Sequence, residues 1–168
     1  MKKILFILLV MTMGLGFAAS DLSDPQYALG AFLIAIHDFS ADRIWSSLSS
    51  SYREELESDF AYMKQSGDLG FFADTFNIPE LLNCNSAYQV LCVAMQRIPG
   101  VNPVLYQQTR EQFAFTTIYQ ITGKAVYTPS GSGLKVTLPD NLGSLSMVQN
   151  GGQWKIADAS DFYIMRYY

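Results

Sequence analysis

The segment LKVTLPDNLGSLSMVQNGGQWKI, residues 134–156, defines the kind of sheet that this chain can form. Apolar and polar residues alternate along it, which is typical of strands with one buried face. The apolar positions of its first two strands are Leu134, Val136, Leu138, Leu145 and Met147. Residues 139–143 and 150–152 carry the Pro, Asp, Asn and Gly residues of tight turns. The segment therefore predicts an antiparallel meander, with Trp154 and Ile156 on one face of its last strand.

The two-residue period continues backwards from this segment. Residues 129–133 (PSGSG) predict a hairpin loop, and residues 112–128 predict one long strand before it. Gly123 marks a bulge or bend in that strand. The side chains expected on one face of the strand are Phe113, Phe115, Tyr119 and Ile121. After the meander, residues 162–168 predict a further edge strand.

The first half of the chain has a helical period instead. Apolar residues spaced three and four apart predict helices over residues 25–38, 41–48, 52–66 and 87–97. The predicted N-terminal caps are Ser23 or Asp24, then Ser40, then Ser50 or Ser51. Gly67 is the predicted stop of the third helix.

Residues 68–110 give weaker signals. The residues expected to be buried there are Phe71, Phe72 and Phe76, and those expected to end helical structure are Pro99, Gly100 and Pro103. Helices followed by an antiparallel meander predict an α+β fold with the helices on one face of the sheet. We expect the sheet to be strongly curved, to wrap the first helix and to leave a cone-shaped interior.

Residues 1–20 have the three parts of a secretory signal peptide. Lys2 and Lys3 precede an apolar run over residues 4–17, and Ala18-Ala19-Ser20 supplies the small residues of a cleavage site. We therefore expect an exported protein, periplasmic or secreted, with one domain over residues 21–168. The apolar run is too short to span a membrane comfortably, and no membrane span is expected after its removal.

The charge balance excludes two classes of partner. Loss of Lys2 and Lys3 leaves nine basic residues against fifteen acidic ones. Binding to nucleic acid or to anionic lipid depends on clustered Lys and Arg, so neither partner is expected. No cofactor is expected either.

Cys84 and Cys92 are the two cysteines, and an oxidising compartment favours a disulfide between them. Eight residues of straight helix would hold their Cα atoms about 12 Å apart, so a bridge requires a turn between them. Turn-forming and capping residues at 83–86 could provide that turn. The alternative is two buried free thiols. A metal site is not expected, because His37 is the only histidine and is distant in sequence.

Three stretches give the chain a family resemblance. They are residues 24–28 (DPQYA), residues 43–53 (RIWSSLSSSYR) and residues 148–156 (VQNGGQWKI). With them the chain resembles the nuclear-transport-factor-2-like (SnoaL-like, cystatin-like) superfamily, in particular its small exported bacterial members of unknown function. The resemblance implies a helix-lined cone against a curved antiparallel sheet, often dimeric, with residues 68–105 as a helical insertion. The superfamily contains isomerases, dehydratases, carriers and accessory domains, so it does not imply one function.

The candidate catalytic residues are His37 and Asp38, at the end of the first helix. Adjacent residues point to different sides of a helix, so they would not easily share a site, and a partly exposed His37 beside the helix dipole is the alternative. The candidate ligand-binding residues are Tyr27, Tyr119, Tyr127 and Trp154. Each ring is also explained by packing in the core or on the sheet, and Trp154 is expected to plug the wide end of the cone.

The predicted function is that of an exported, non-enzymatic domain. It would bind a small apolar or planar molecule, or a partner protein, through the cone or the sheet face. One alternative is a lyase or isomerase that uses His37 or Asp38 with a tyrosine. Another is a structural domain that forms a homodimer through its sheet.

Export and cleavage predict the N-terminus of the mature protein. Mass spectrometry of material purified from its host should show a chain that begins at Asp21. An intact Met1 in the exported fraction would reject the signal-peptide prediction.

Overall fold

The computed structural model describes residues 22–162, apart from the side chain of Phe72. The predicted signal peptide and all but the first residue of the predicted edge strand 162–168 lie outside this range. Within it the helices are α1 (Pro25–His37), α2 (Ala41–Ser47), α3 (Ser50–Ser66), α4 (Asp68–Phe76), a 3-10 helix (Pro79–Asn83), α5 (Ala87–Val101), α6 (Pro103–Gln112) and α7 (Phe115–Lys124). The strands are β1 (Val126–Ser130), β2 (Gly133–Thr137), β3 (Ser144–Asn150) and β4 (Gln153–Asp158). The predicted α+β class is confirmed.

The four described strands form an antiparallel sheet in the order β1-β2-β3-β4, which is the predicted meander. Its ladder places Val136 opposite Leu145 and Met147 opposite Ile156, and all four side chains are buried. The apolar positions of the alternating pattern therefore form the buried face of the sheet. At the last turn Gly151 and Gly152 have φ values of 59° and 80°, the left-handed pair that a two-residue hairpin of this kind requires.

Helix ends follow the predicted chemistry with one shift. Asp24 caps α1, and its Oδ1 accepts a hydrogen bond from the backbone N–H of Gln26 at 2.7 Å. Ser40 precedes α2 as predicted, without a side-chain cap bond. Helix α3 begins two residues earlier than predicted, because Ser49 rather than Ser50 or Ser51 is its cap. Gly67, with φ of 87°, ends α3 as predicted.

The predicted long strand over residues 112–128 is wrong. The chain there finishes α6, forms α7 and enters β1 only at Val126. Helix α7 buries Ile118 and Ile121, three residues apart, whereas Phe115 and Tyr119 are 51% and 69% exposed. Apolar residues in this stretch fit a period of two and a period of three to four, and packing of α7 against α1 selects the helix.

Two predictions for residues 68–110 are also wrong. Helix α5 passes through Pro99 and ends at Val101, so Pro99 and Gly100 lie in its last turn, and Pro103 begins α6 instead of ending helical structure. Proline is accepted in a first turn because the N–H it lacks would have no partner there. Helix α4 buries Leu69 and Ala73, four residues apart, which turns Phe71 outward to 72% exposure and leaves Phe76 partly exposed.

The buried side chains of the described residues form two clusters. The larger cluster lies between α1, α7 and the sheet, and it includes Leu29, Leu33 and Ile156. The smaller cluster lies between α3, α4 and α5, and it includes Phe60 and Ile98. None of the helices in residues 22–162 combines the length and apolar character needed to cross a membrane.

Two glycines give a matched test of this fold. A Cβ built on Gly133 would lie 2.2 Å from the carbonyl oxygen of Met147, whereas one on Gly123 meets nothing within 4 Å. Gly133→Ala should therefore lower the free energy of unfolding by about 1–3 kcal/mol, because backbone must move. Gly123→Ala should leave it unchanged or raise it by up to about 1 kcal/mol, since Ala favours a helix.

Urea unfolding of both variants checks this prediction. Equal losses of stability in the two variants would contradict both the β2–β3 contact and the helical assignment of Gly123.

Candidate functional site

An apolar cavity of about 560 Å³ lies among the helices and is partly open to solvent. Five helices, the 3-10 helix and the segment after β4 contribute to its wall. The lining residues from α3 and α5 are Tyr52, Leu56, Asp59, Phe60, Met63, Ala87, Val90, Leu91, Ala94, Met95 and Ile98. Those from elsewhere are Phe32, Ile36, Ile44, Trp45, Leu48, Leu69, Phe76, Ile78, Leu81, Ala159 and Phe162.

Helices α3 and α5 face each other across the cavity. Their lining residues start at Tyr52 and at Ala87, and both sets recur at intervals of three and four residues over three turns. This spacing places each set on one face of its helix. The other walls carry residues from both hydrophobic clusters, so the cavity lies where the two clusters meet.

Polar contacts outside the cavity hold α5 against α3. The carboxylate of Glu57, on α3, accepts hydrogen bonds from the backbone N–H groups of Ala87 at 2.8 Å and Tyr88 at 3.3 Å. A carboxylate at a helix N-terminus satisfies free N–H groups and interacts favourably with the helix dipole. Further along α3, Lys64 Nζ donates to the carbonyl of Cys84 at 2.7 Å. These bonds tie the start of α5 to α3.

A second set of contacts ties α5 to α2. The ring of Tyr88 lies 5.5 Å, between centroids, from that of Trp45, which lines the cavity. The Tyr88 hydroxyl donates to the carboxylate of Asp42, and this bond raises the pKa of Tyr88 well above its usual value. The contact with Tyr88 thus helps to hold the Trp45 ring in its position on the cavity wall.

The start of α3 is fixed to the sheet. The N–H of Ser49 donates to the carbonyl of Ile156 at 2.8 Å, and Ser49 Oγ accepts from the N–H of Tyr52 at 3.2 Å. Arg53 Nη2 donates to the carbonyls of Ser46 and Leu48, at the end of α2. This junction sets the position of Tyr52, the first cavity residue on α3.

Tyr52 and Asp59 are the polar residues of the lining. Tyr52 is half-buried, and burial is the main cause of its raised pKa. A hydrogen bond with the backbone of Ala159 lowers this pKa, whereas the carboxylates of Asp158, Glu55 and Asp59 raise it further. Asp59 itself is exposed. The charged side chain on an otherwise apolar wall is therefore an exposed carboxylate.

The candidate catalytic residues lie elsewhere. His37 is 7% exposed, so the expected partly exposed position is wrong, and its ring packs 5.1 Å from that of Phe115. Contrary to the expectation for adjacent residues, Nδ1 of His37 lies 2.8 Å from Oδ1 of Asp38, whose Oδ2 accepts from Arg43 at 2.7 Å. Neither His37 nor Asp38 lines the cavity.

The four candidate ligand-binding rings do not come together at the cavity. Tyr27 is 47% exposed, and Tyr119 is exposed on α7. The hydroxyl of Tyr127 donates to the carbonyl of Thr122 at 3.4 Å, and burial, with a smaller effect of Asp24, raises its pKa to about 12. Trp154 is partly buried against the larger cluster.

The predicted disulfide is not formed, and Cys84 and Cys92 are free thiols. The chain turns before Ser86, but Cys92 then lies in the second turn of α5, away from Cys84. Burial raises the pKa of the Cys84 thiol, which donates weakly to the carbonyl of Glu80 at 3.9 Å. Among residues 22–162, no three His, Cys, Asp or Glu side chains are grouped as a metal site.

Sequence reasoning did not single out the cavity residues, although one signal was present. The three-and-four spacing on α3 and α5 gives each helix an apolar face, but such a face is equally explained by close packing. Comparison with protein-family models, with curated proteins and with solved structures finds no match to this chain. The site therefore has to be interpreted from its geometry.

The Glu57 contacts lead to a stability test. Glu57→Ala leaves two N–H groups of α5 without their carboxylate, so it should lower the free energy of unfolding by about 1–2 kcal/mol. Glu54→Ala, at an exposed position on the same helix, should change it by less than about 0.5 kcal/mol. Denaturant unfolding measures both, and a Glu57 variant as stable as the Glu54 variant would show that this tie is unimportant.

Proposed function

We propose that this protein is an exported, non-enzymatic binding domain that takes a small apolar molecule into the cavity between α3 and α5. The observation that carries the proposal is the lining, in which 22 residues contribute and Tyr52 and Asp59 are the polar ones. Soluble ligand pockets have this character, with a hydrophobic wall and few polar groups. The pattern of residues 1–20 supports export.

The size and the rings of the cavity suit a compact or planar guest. Its volume of about 560 Å³ lies within the range of about 300–1,000 Å³ that is typical of small-molecule sites. Aromatic side chains on its wall can contact either an aliphatic chain or a flat ring system. They are Phe32, Trp45, Tyr52, Phe60, Phe76 and Phe162.

Energetics favour an occupied cavity. Each Å² of apolar surface that a guest removes from water contributes about 25 cal/mol. The surrounding side chains also gain dispersion contacts that an unfilled space cannot provide. A guest that binds only the folded chain therefore stabilises it, and the stabilisation rises with the logarithm of the guest concentration above Kd.

Binding explains the site better than catalysis does. A general base for isomerisation needs a carboxylate or imidazole near the substrate, with its pKa adjusted by burial. The carboxylate on the cavity wall, Asp59, is exposed, and the His37–Asp38 pair lies outside the wall. The lyase or isomerase alternative therefore has no specific support in the described residues.

We also keep the nuclear-transport-factor-2-like fold and its strongly curved cone as proposals. Their support is the order of helices before an antiparallel meander, and the packing of α1 and α3 on β4. A homodimer through the sheet likewise remains a prediction. A dimer formed through the outer face of the sheet would leave the cavity among the helices accessible.

Filling the cavity tests the proposal. Ala94 lies on its wall, and Ala61 is exposed on α3 outside it. Nile red fluorescence should increase with the purified protein, and Ala94→Phe should weaken this binding at least about ten-fold by occupying the space. Ala61→Phe, with the same added ring at the surface, should bind as the unaltered protein does.

Circular dichroism and thermal unfolding verify that both variants fold. If Ala94→Phe does not fold, Met63→Trp takes its place in the experiment, because this variant fills the cavity from the opposite helix. Nile red binding that survives a filled cavity in a folded variant would refute the proposal.

A further inference from the structure

The charge at the cavity is one-sided, and this restricts the kind of guest. Asp59 is the ionisable acid on the wall, and the carboxylates of Glu55 and Asp158 act with it on the hydroxyl of Tyr52. Tyr52 and Asp59 are seven residues apart on α3, so they lie on the same face two turns from each other. The charged side chain of the wall is thus that of Asp59, and Tyr52 adds a hydroxyl on the same face of α3.

No basic residue of the described chain lines the cavity. Arg53 uses its guanidinium on the carbonyls of Ser46 and Leu48, and Lys155 donates to the carbonyl of Ser46 at 3.0 Å. Lys64 is bonded to the carbonyl of Cys84 and to Asn85. None of the three lines the cavity, and no ion pair within residues 22–162 includes Asp59.

We propose that the guest of this cavity is a single-chain amphiphile with a cationic head group, whose apolar body lies between α3 and α5 and whose head lies beside Asp59. The inference rests on the proposed function. The cavity itself is the observation that points to an apolar ligand, and charge complementarity selects the head. An anionic head, as in a fatty acid, would meet the carboxylate of Asp59 at the cavity wall instead.

Three compounds with one chain and different heads test the proposal. They are dodecylammonium, dodecanol and dodecanoate, each below its micellar concentration and each measured by displacement of Nile red. Dodecylammonium should bind about five-fold more tightly than dodecanol, which is the upper contribution of an exposed ion pair. Dodecanoate should bind most weakly, and salt should reduce these differences.

Two variants assign the preference to its source. Asp59→Asn should reduce the preference for dodecylammonium over dodecanol to less than about two-fold. Glu54→Gln removes the same charge from the same helix outside the cavity wall and should preserve the preference. Equal losses in both variants would mean that net charge, not Asp59, attracts the cation, and would overturn the inference.

The outcomes separate this inference from the proposed function. Equal binding of the three compounds, blocked by Ala94→Phe, would overturn the cationic head and leave the apolar site intact. No binding of any compound would refute the proposed function as well. Binding only after removal of residues 163–168 would identify the end of the chain as the occupant, and would overturn the amphiphile proposal.

Discussion

The hydrogen bond between the N–H of Ser49 and the carbonyl of Ile156 joins the helical layer to the sheet. Ser49 is buried, and its hydroxyl also caps α3. The same residue therefore fixes both the start of α3 and its contact with β4. A helix that is fixed at its first turn can project its later turns away from the sheet. This contact orients the cavity-facing side of α3 together with the bonds of Arg53, Glu57 and Lys64.

The cavity exists because two hydrophobic clusters meet without merging. One cluster is organised by α1 on the sheet, and the other by α3, α4 and α5. Glu57 and Lys64 hold the start of α5 to α3 through backbone groups, and neither of these side chains lines the cavity. Polar ties of this kind can maintain an apolar opening that close packing alone would tend to close.

Burial explains which sequence-based predictions succeeded. Val136, Leu145 and Met147 alternate between obvious turns, and burial of all three excludes a register shifted by one residue. Residues 112–128 offered two periods at once, and only contact with α1 decides that Ile118 and Ile121 belong to a helix. The disulfide failed for a related reason, since the path of α5 after Ser86 keeps Cys92 away from Cys84.

The sequence by itself determined the class of fold, the last three strands of the meander with the turns between them, and the first three helices to within two residues at their ends. These features depend on local backbone preferences and on the period of apolar residues, which are written along the chain. Tertiary structure alone decided the cavity and the place of Asp59 beside it, because an apolar helix face is the same in sequence whether it meets another side chain or an open space. That difference depends on how α3 and α5 are placed against each other, and contacts between residues remote in the chain contribute to that placement.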